Sequence, residues 1–361
     1  MFACWAACLA AARLEAFCLL SWNTGGNGAA DWSLASPQVQ AIGRHLQALD
    51  PDAAVLLEIP ADKTGLIPEF VSLFLPGYAY ATNSGTDGYL RSVVLSRYPI
   101  ARSRSWLDDA PLAPFGYKGK FTRDLFEAEI AAPGYPDAVH VFAVHLKNGS
   151  DPDSTARRAA EARAISNFFA TAFLPSHPNG IYLLAGDLNE DFDRHPDSPV
   201  KAALANAATG LFLTRPTDAE GRSARTWSTR LPLLVARLDY VLPCGSLYAA
   251  IAAGEVFRLP EFDPPPAPLR SGDDVLASDH VPLRFVFRNP DNGPFDVRIL
   301  RGKELRLEWK ALPGYTYQVF RSPDLRSWRV VATFFQQSGR ERTWTVPVAD
   351  RTGFFKIRRI P

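Results

Sequence analysis

Short apolar runs alternate with helical stretches and turn residues between positions 17 and 289. Apolar runs bounded by turn residues predict buried strands. These runs are 17–22, 53–57, 91–96, 125–130, 138–144, 181–185, 238–242 and 281–287. Residues 37–49 and 154–173 instead have helical spacing. Strands mixed with a few helices, without strict βαβ alternation, predict an α/β or α+β domain with mixed sheets.

The pattern changes after the turn-rich segment Asn289-Pro-Asp-Asn-Gly-Pro294, which is a candidate linker. The following residues alternate apolar and polar positions with period two, which predicts antiparallel strands. The strands predicted in this way are 305–309, 315–320, 328–335, 342–346 and 354–357. We therefore expect a domain over 17–289 and a small all-β sandwich over 295–361.

The N-terminal residues differ from both regions. Phe2–Ala12 is apolar and ends in small residues, which is typical of a secretory signal, although no basic residue precedes Arg13. The interpretation is a signal peptide over 1–16 and a secreted or periplasmic protein, with an ordinary helix as the alternative. Cys18 and Cys244 would then remain, and their number leaves open whether they pair.

Composition excludes several classes of protein. Hydrophobic residues make up 47% and charged residues 21%, which excludes a largely disordered chain, a collagen and a coiled coil. A zinc site needs clustered ligands at short spacing and the cysteines are far too scattered, so zinc is not expected, and no apolar run is long enough to span a membrane. The net charge of +1 favours no class of partner, but residues 291–361 hold 14 basic and 7 acidic residues. The C-terminal module could therefore attract nucleic acid or an anionic surface.

Polar side chains follow several of the apolar strands. Asp187 and Asn189 come just after the strand 181–185, and residues two apart on an extended chain point the same way. One site would then hold a proton acceptor and an amide donor, whereas a simple Asx turn is the alternative. Asn23 and Glu58 follow two other strands, and carboxylate and amide oxygens suit Mg²⁺ or Mn²⁺.

Six short motifs together resemble the endonuclease/exonuclease/phosphatase superfamily, the group around DNase I. They are Ser-Trp-Asn23, Leu-Leu-Glu58, His145-Leu, Gly-Asp187-Leu-Asn189, Leu-Asp239-Tyr-Val and Ser-Asp279-His280. The resemblance covers about residues 17–289 and rests on the order and intervals of the motifs. It implies a four-layer α/β sandwich that hydrolyses phosphodiesters or phosphomonoesters with Mg²⁺ or Mn²⁺.

The same resemblance implies a role for each motif on the metal side of the site. Glu58, with Asn23 nearby, would hold the metal, and Asp279 would contribute a ligand or an outer contact. Leu57 stands where the family commonly has Gln, a position that does not ligate.

The remaining motifs would act on the phosphate and the water. Asp187 would orient and deprotonate the attacking water, and Asn189 would bind a phosphoryl oxygen. His280, held by Asp239, would contact the phosphate. His145 would stabilise the pentacoordinate state or protonate the leaving oxygen, although the sequence shows no carboxylate to pair with it.

The sequence indicates the substrate less precisely than it indicates the residues of the site. Lys118, Lys120 and Arg123 lie in a basic, Gly-containing segment that would bind substrate phosphates or form a solvated loop. The leading hypothesis is a monomeric, secreted nuclease. A phospholipid, sphingomyelin, sugar or inositol phosphate phosphoesterase is the alternative, with residues 231–235 as a candidate apolar hairpin for lipid. A binding protein without catalysis is the third hypothesis.

Overall fold

The computed structural model describes residues 16–25, 32–135, 137–221, 223–229, 231–289, 297–301, 305–311, 316–336, 341–347 and 353–360. The chain divides into two compact units. The larger unit comprises residues 17–131 and 137–287, and the smaller one includes residues 288–361. The expected signal peptide at 1–16 lies outside the described residues except for Ala16.

The larger unit contains eleven strands among the described residues. They are β1 (Ala16–Asn23), β2 (Ala53–Pro60), β3 (Ala79–Thr82), β4 (Leu90–Ser96), β5 (Ile100–Trp106), β6 (Leu125–Ile130), β7 (Val139–His145), β8 (Ile181–Asp187), β9 (Asp239–Pro243), β10 (Ile251–Val256) and β11 (Leu283–Arg288). The helices are α1 (Pro37–Leu49), α2 (Ile67–Phe74), α3 (Pro152–Phe168), α4 (Leu174–Ser176), α5 (Pro199–Leu204), α6 (Gly245–Ala249) and α7 (Asp273–Ala277). One π-helical turn, Phe169–Phe173, joins α3 to α4.

These strands form two sheets that pack face to face. One has the order β10-β11-β1-β2-β4-β3 and the other the order β5-β6-β7-β8-β9. β2 packs against β8, and β4 packs against β7, between the sheets. Strands β1 and β2 are parallel, and so are β7 and β8, which places the carboxyl ends of each pair at one edge.

Helices cover the two outer faces. Apolar residues of α1 and α2, such as Ile42 and Phe70, pack with Trp22 and Leu56 of the first sheet. The α3 end packs on the second sheet through Phe168 and Phe169, which contact Phe142 of β7. The arrangement is the expected four-layer α/β sandwich of DNase I type.

The smaller unit carries the expected antiparallel β module. Its strands are β12 (Val297–Arg301), β13 (Leu305–Lys310), β14 (Thr316–Ser322), β15 (Arg329–Phe335), β16 (Glu341–Thr345) and β17 (Phe354–Ile360). They form two three-stranded sheets, β12-β13-β16 and β15-β14-β17. Leu307 and Trp309 of the first pack with Tyr317 and Val319 of the second in one apolar core.

The apolar pattern did not predict the strands β3, β5, β10 and β12. These strands have few buried side chains, so no apolar run marks them. Cys18 and Cys244 are both buried free thiols. Among the described residues, no helix is long and apolar enough to cross a membrane.

Candidate active site

The strand ends of the larger unit bring six of the predicted residues to one edge of the two sheets. Asn23 ends β1, Glu58 lies near the end of β2, and His145 and Asp187 end the parallel strands β7 and β8. Asp239 begins the antiparallel strand β9 and pairs in register with Asp187. His280 precedes β11, and its carbonyl accepts from the indole N–H of Trp22 at 3.0 Å.

Local backbone features aim two of these side chains. The pairing of β2 with β4 is irregular between Leu56 and Ile59, and Glu58 has a φ of 59° there. A bulge of this kind redirects a side chain out of the regular strand alternation. Gly186, with φ of 147°, precedes Asp187, and a Cβ on it would lie 1.9 Å from the carbonyl oxygen of Val144. Only glycine fits this close approach of β8 to β7.

The amide of Asn23 links carboxylates that belong to different sheets. Its Nδ2 donates to Glu58 Oε1 at 3.0 Å and to Asp187 Oδ2 at 3.0 Å. Its Oδ1 accepts from the backbone N–H of Gly25 at 3.1 Å. Asn23 is fully buried, so these bonds fix the distance between the two carboxylates.

His280 lies between two buried carboxylates. Its Nδ1 is 2.7 Å from Asp239 Oδ2, and its Nε2 is 3.8 Å from Asp187 Oδ2. Burial alone would lower the pKa of His280, but Asp239, through its charge and its hydrogen bond, and Asp187 raise it to about 10. This imidazole is therefore positively charged at neutral pH.

His145 is in the opposite protonation state. Its Nε2 is 3.6 Å from Asp187 Oδ2 and 3.8 Å from Glu58 Oε1, whereas its buried Nδ1 has no hydrogen-bond partner among the described residues. Burial, together with the charges of Arg123 and His280, holds the pKa of His145 well below its usual value. The site thus contains one charged and one neutral imidazole.

The donor set fits a divalent cation. Donor oxygens of Asp187 and Asp239 lie within 4.8 Å of each other, and Glu58 joins Asp187 through Asn23, whereas the protonated His280 has no lone pair for a metal. Burial and the charge of Asp239 raise the pKa of Asp187 to about 7, and Asp239 Oδ1 is buried without a hydrogen-bond partner among the described residues. Crowded, buried carboxylates with a free oxygen are groups that a hard cation stabilises.

Comparison with known proteins identifies the family of the larger unit. The model of the Endonuclease/Exonuclease/phosphatase family matches residues 20–280. The chain belongs to this family. No curated protein sequence matches the chain.

Solved structures with the same fold include other members of this family. An endonuclease/exonuclease/phosphatase from Beutenbergia cavernae has a TM-score of 0.54 at 18% identity, covering 96% of this chain and 100% of that one. TDP2 of Caenorhabditis elegans (truncated) has a TM-score of 0.52 at 18% identity, covering 76% and 99%. TDP2 of D. rerio, complexed with a single strand DNA product, has a TM-score of 0.51 at 16% identity, covering 76% and 99%. At these identities the likeness shows the fold.

Two family motif residues lie beside the central cluster. The backbone N–H of Asn189 donates to Asp187 Oδ1 at 2.8 Å, and Asn189 Nδ2 donates to the carbonyl of Leu146 at 3.1 Å. Exposed Asp279 accepts from the indole N–H of Trp227 at 2.9 Å. Trp227, whose ring centroid is 6.4 Å from that of His280, was not singled out from the sequence, because no motif marks it.

The basic segment does not act as one group. Lys118 and Lys120 are exposed, and Lys120 pairs with Asp109 at 2.9 Å. Arg123 is buried and donates to the carbonyls of His145 and Leu146 at 3.0 and 3.3 Å. It also pairs with Asp87 at 2.8 Å, so its guanidinium holds the backbone behind His145.

Buried charges on α3 hold the same backbone, and sequence reasoning missed them. Glu161 accepts from the N–H groups of Lys147 and Thr122, both at 2.8 Å. Arg158 donates to the carbonyls of Lys147 and Gly149 at 3.0 and 2.8 Å and pairs with Glu190 at 2.7 Å. Charged residues on a helix normally face solvent, so their pattern gives no sign of this contact.

Proposed function

We propose that this family member is a metal-dependent phosphodiester hydrolase that cleaves nucleic acid. One observation carries the proposal: a charged and a neutral imidazole flank Asp187 at the edge where Glu58 and Asn23 also converge. Attack of water on a phosphodiester needs a proton acceptor and donors for the developing negative charge. This set of side chains supplies both within one buried cluster.

Each residue has a part in the proposed reaction. Asp187 orients the attacking water and accepts its proton, and Asn189 donates to a phosphoryl oxygen. The charged His280, held by Asp239, donates to the phosphate through Nε2. The neutral His145 donates a hydrogen bond to the pentacoordinate phosphoryl group or to the leaving oxygen, and the proton that Asp187 takes from the water passes to the leaving oxygen directly or through solvent.

Glu58 and Asn23 would hold Mg²⁺ or Mn²⁺, with Asp279 as a further ligand or outer contact. The bound ion would neutralise charge on the phosphoryl group. Asn23 would bind it through Oδ1, since the amide oxygen is the donor atom for a hard cation. In the structure that oxygen accepts a hydrogen bond from the backbone N–H of Gly25.

Nucleic acid is the proposed substrate because a fold relative, TDP2 of D. rerio, was solved with single strand DNA product. Phospholipid and small phosphate esters are the alternative substrates. In the candidate lipid hairpin 231–235, Leu233 is exposed but Leu234 is buried, so the apolar surface is small. This segment therefore gives little support to a lipid substrate.

The test is hydrolysis of supercoiled plasmid and of a single-stranded oligonucleotide by the full chain. We expect Mg²⁺-dependent cleavage that EDTA abolishes and that Asp187→Asn lowers by at least about 100-fold. Asp197→Asn, an exposed aspartate in a loop, is the matched control and should keep wild-type activity. Intact nucleic acid alongside hydrolysed phospholipid or small esters would overturn the substrate, and no hydrolysis of any ester would overturn the function.

We also propose that the protein is exported and acts as a monomer. The apolar run at 2–12 supports export, and the basic excess of residues 291–361 supports contact with a polyanion. Mass spectrometry of the mature N-terminus tests export, and light scattering tests the monomeric state. Binding of the full chain to a non-cleavable oligonucleotide should weaken as salt rises if the basic module takes part.

A further inference from the structure

A second group of metal-binding side chains lies at the other end of strand β7. Glu129 on β6 and His140 on β7 are paired in register, and His177 follows α4 above them. One donor atom from each of the three residues lies within 4.8 Å of the others. His140 is buried, whereas Glu129 and His177 are half-buried, so the cluster can be reached from solvent.

This cluster is separate from the candidate active site. His140 and His145 are five residues apart on β7, which is about 16 Å along an extended strand. They also point to opposite faces of the sheet, because five is an odd number of positions. His140 lies on the face covered by the helix, where its ring is 5.1 Å from that of Phe173.

The surrounding groups fix both imidazoles in a state ready to bind a metal. His140 Nδ1 is 2.7 Å from the buried carboxylate of Glu127, which also accepts from the indole N–H of Trp106 at 2.8 Å. His177 Nδ1 is 3.1 Å from the carbonyl oxygen of Phe173. Each acceptor requires a proton on Nδ1, so the lone pair of each neutral ring is on Nε2. Metal-binding histidines are held by carboxylates and carbonyls in this way.

Glu129, the third residue of the cluster, is also held in place by a neighbouring side chain. Arg102 on β5 pairs in register with Glu129 and donates to its Oε1 from Nε at 2.9 Å. Oε1 also lies 3.7 Å from His140 Nδ1, and among the described residues no hydrogen bond or ion pair involves Oε2, which would be the ligand atom. Carboxylate ligands of metals are themselves commonly hydrogen-bonded. An Arg102–Glu129–His140 row thus crosses three neighbouring strands beneath His177.

From this arrangement, we propose that Glu129, His140 and His177 bind Zn²⁺ or a similar late transition-metal ion, which links the end of the α3–α4 segment to strands β6 and β7. Two imidazoles and one carboxylate are the ligands that such ions prefer over Mg²⁺. With three protein ligands, water would complete the coordination. The site requires no cysteine, so the scattered cysteines do not argue against it.

The test is calorimetric titration of the metal-free full chain with ZnCl₂. Wild type is compared with His177→Ala, with His195→Ala as an exposed histidine control, and with Asp187→Asn to identify zinc bound at the active site. We expect one bound zinc equivalent that wild type, His195→Ala and Asp187→Asn all retain. In His177→Ala this equivalent should be lost or should bind at least about 10-fold more weakly. A zinc equivalent that responds to Asp187→Asn but not to His177→Ala would overturn the proposal.

Two further readouts do not depend on activity. Zn²⁺ should raise the unfolding temperature of wild type and of His195→Ala more than that of His177→Ala, since a ligand of the native state stabilises it. Glu127→Gln should weaken zinc binding roughly 10–100-fold, because Glu127 fixes the His140 ring without touching the ion. Unchanged zinc binding and zinc-induced stabilisation in His177→Ala would mean that these histidines only pack against Phe173.

Discussion

The carboxylate of Asp239 lies 2.7 Å from Nδ1 of His280, and both side chains are buried. The ring is thereby held with Nε2 facing Asp187, at 3.8 Å. The effect of burial on the pKa of His280 is outweighed by the charge and hydrogen bond of Asp239 together with the charges of Asp187 and Asp279, so the imidazole stays protonated. The orientation of the proposed phosphate donor therefore depends on Asp239, and its charge depends on all three carboxylates.

Replacing Asp239 by Asn should remove the largest of the charges that keep His280 protonated. We expect kcat for phosphodiester hydrolysis to fall by roughly 100-fold or more, because a general acid–base contribution is of that size. Steady-state kinetics with Asp197→Asn as control gives the measurement. A wild-type kcat in folded Asp239→Asn would show that the pair does not support the reaction.

Gly186→Ala should damage both stability and activity. The added Cβ would lie 1.9 Å from the Val144 carbonyl oxygen, and the φ of 147° is unfavourable for alanine. We expect a loss of at least about 2 kcal/mol in the free energy of unfolding. Denaturant titration measures it, and Gly65→Ala is the control, since a Cβ there meets no atom within 4 Å. Equal stability of the two variants would contradict the close approach of β7 and β8.

Glu161→Gln should impair the site from a distance. A glutamine cannot accept from both Thr122 and Lys147, so one buried N–H loses its partner, at a cost of roughly 1–3 kcal/mol. Because Lys147 follows the His145 segment, kcat should fall while KM changes little. Glu69→Gln, an exposed position on α2, serves as the control. If only stability changes, Glu161 does not position His145.

Acid should weaken the ion pair between α1 and α7. Arg44 donates to both oxygens of buried Asp273, at 2.7 and 2.6 Å. Burial opposes it, but the hydrogen bonds from Arg44 and from the Arg270 backbone lower the pKa of Asp273. A lowered pKa in the folded state means stability that is present above about pH 4 and is lost as the pH falls through the folded-state pKa.

Asp273→Asn tests this pH dependence. We expect a loss of about 3 kcal/mol in the free energy of unfolding at pH 7, since one partner of a buried pair is removed. The variant should also lose less further stability than wild type on acidification. Urea titrations at pH 7 and below pH 4, with the exposed Asp62→Asn as control, provide the comparison. A parallel pH profile for variant and wild type would rule out the assigned pKa shift.

The sequence predicted the residues of the candidate site better than the buried residues that hold those residues in position. Strands that end in Asn23, His145 and Asp187 carry apolar runs, so their ends could be located, and parallel pairing brings those ends together. The helical spacing of 154–173 predicted a helix there, and the structure buries Ala160 and Phe168 of that segment. It also buries Arg158 and Glu161, whose partners are backbone groups of a loop. Side-chain periodicity contains no information about such backbone partners.

The same limit applies to the basic segment. Lys118, Lys120 and Arg123 are alike in charge, but only the tertiary structure shows that Arg123 is buried behind His145. The cluster of Glu129, His140 and His177 is equally hidden in the sequence. Its members come from two strands and a helix end, and no spacing rule connects them.

The bond from Trp22 to the carbonyl of His280 joins positions 258 residues apart. The ribosome releases His280 long after it has released Asn23 and Glu58, so a growing chain cannot complete the cluster until that late segment emerges. Premature termination before residue 280 leaves Asp187 with only one of the two imidazoles that flank it. Incomplete translation products therefore lack the assembled cluster.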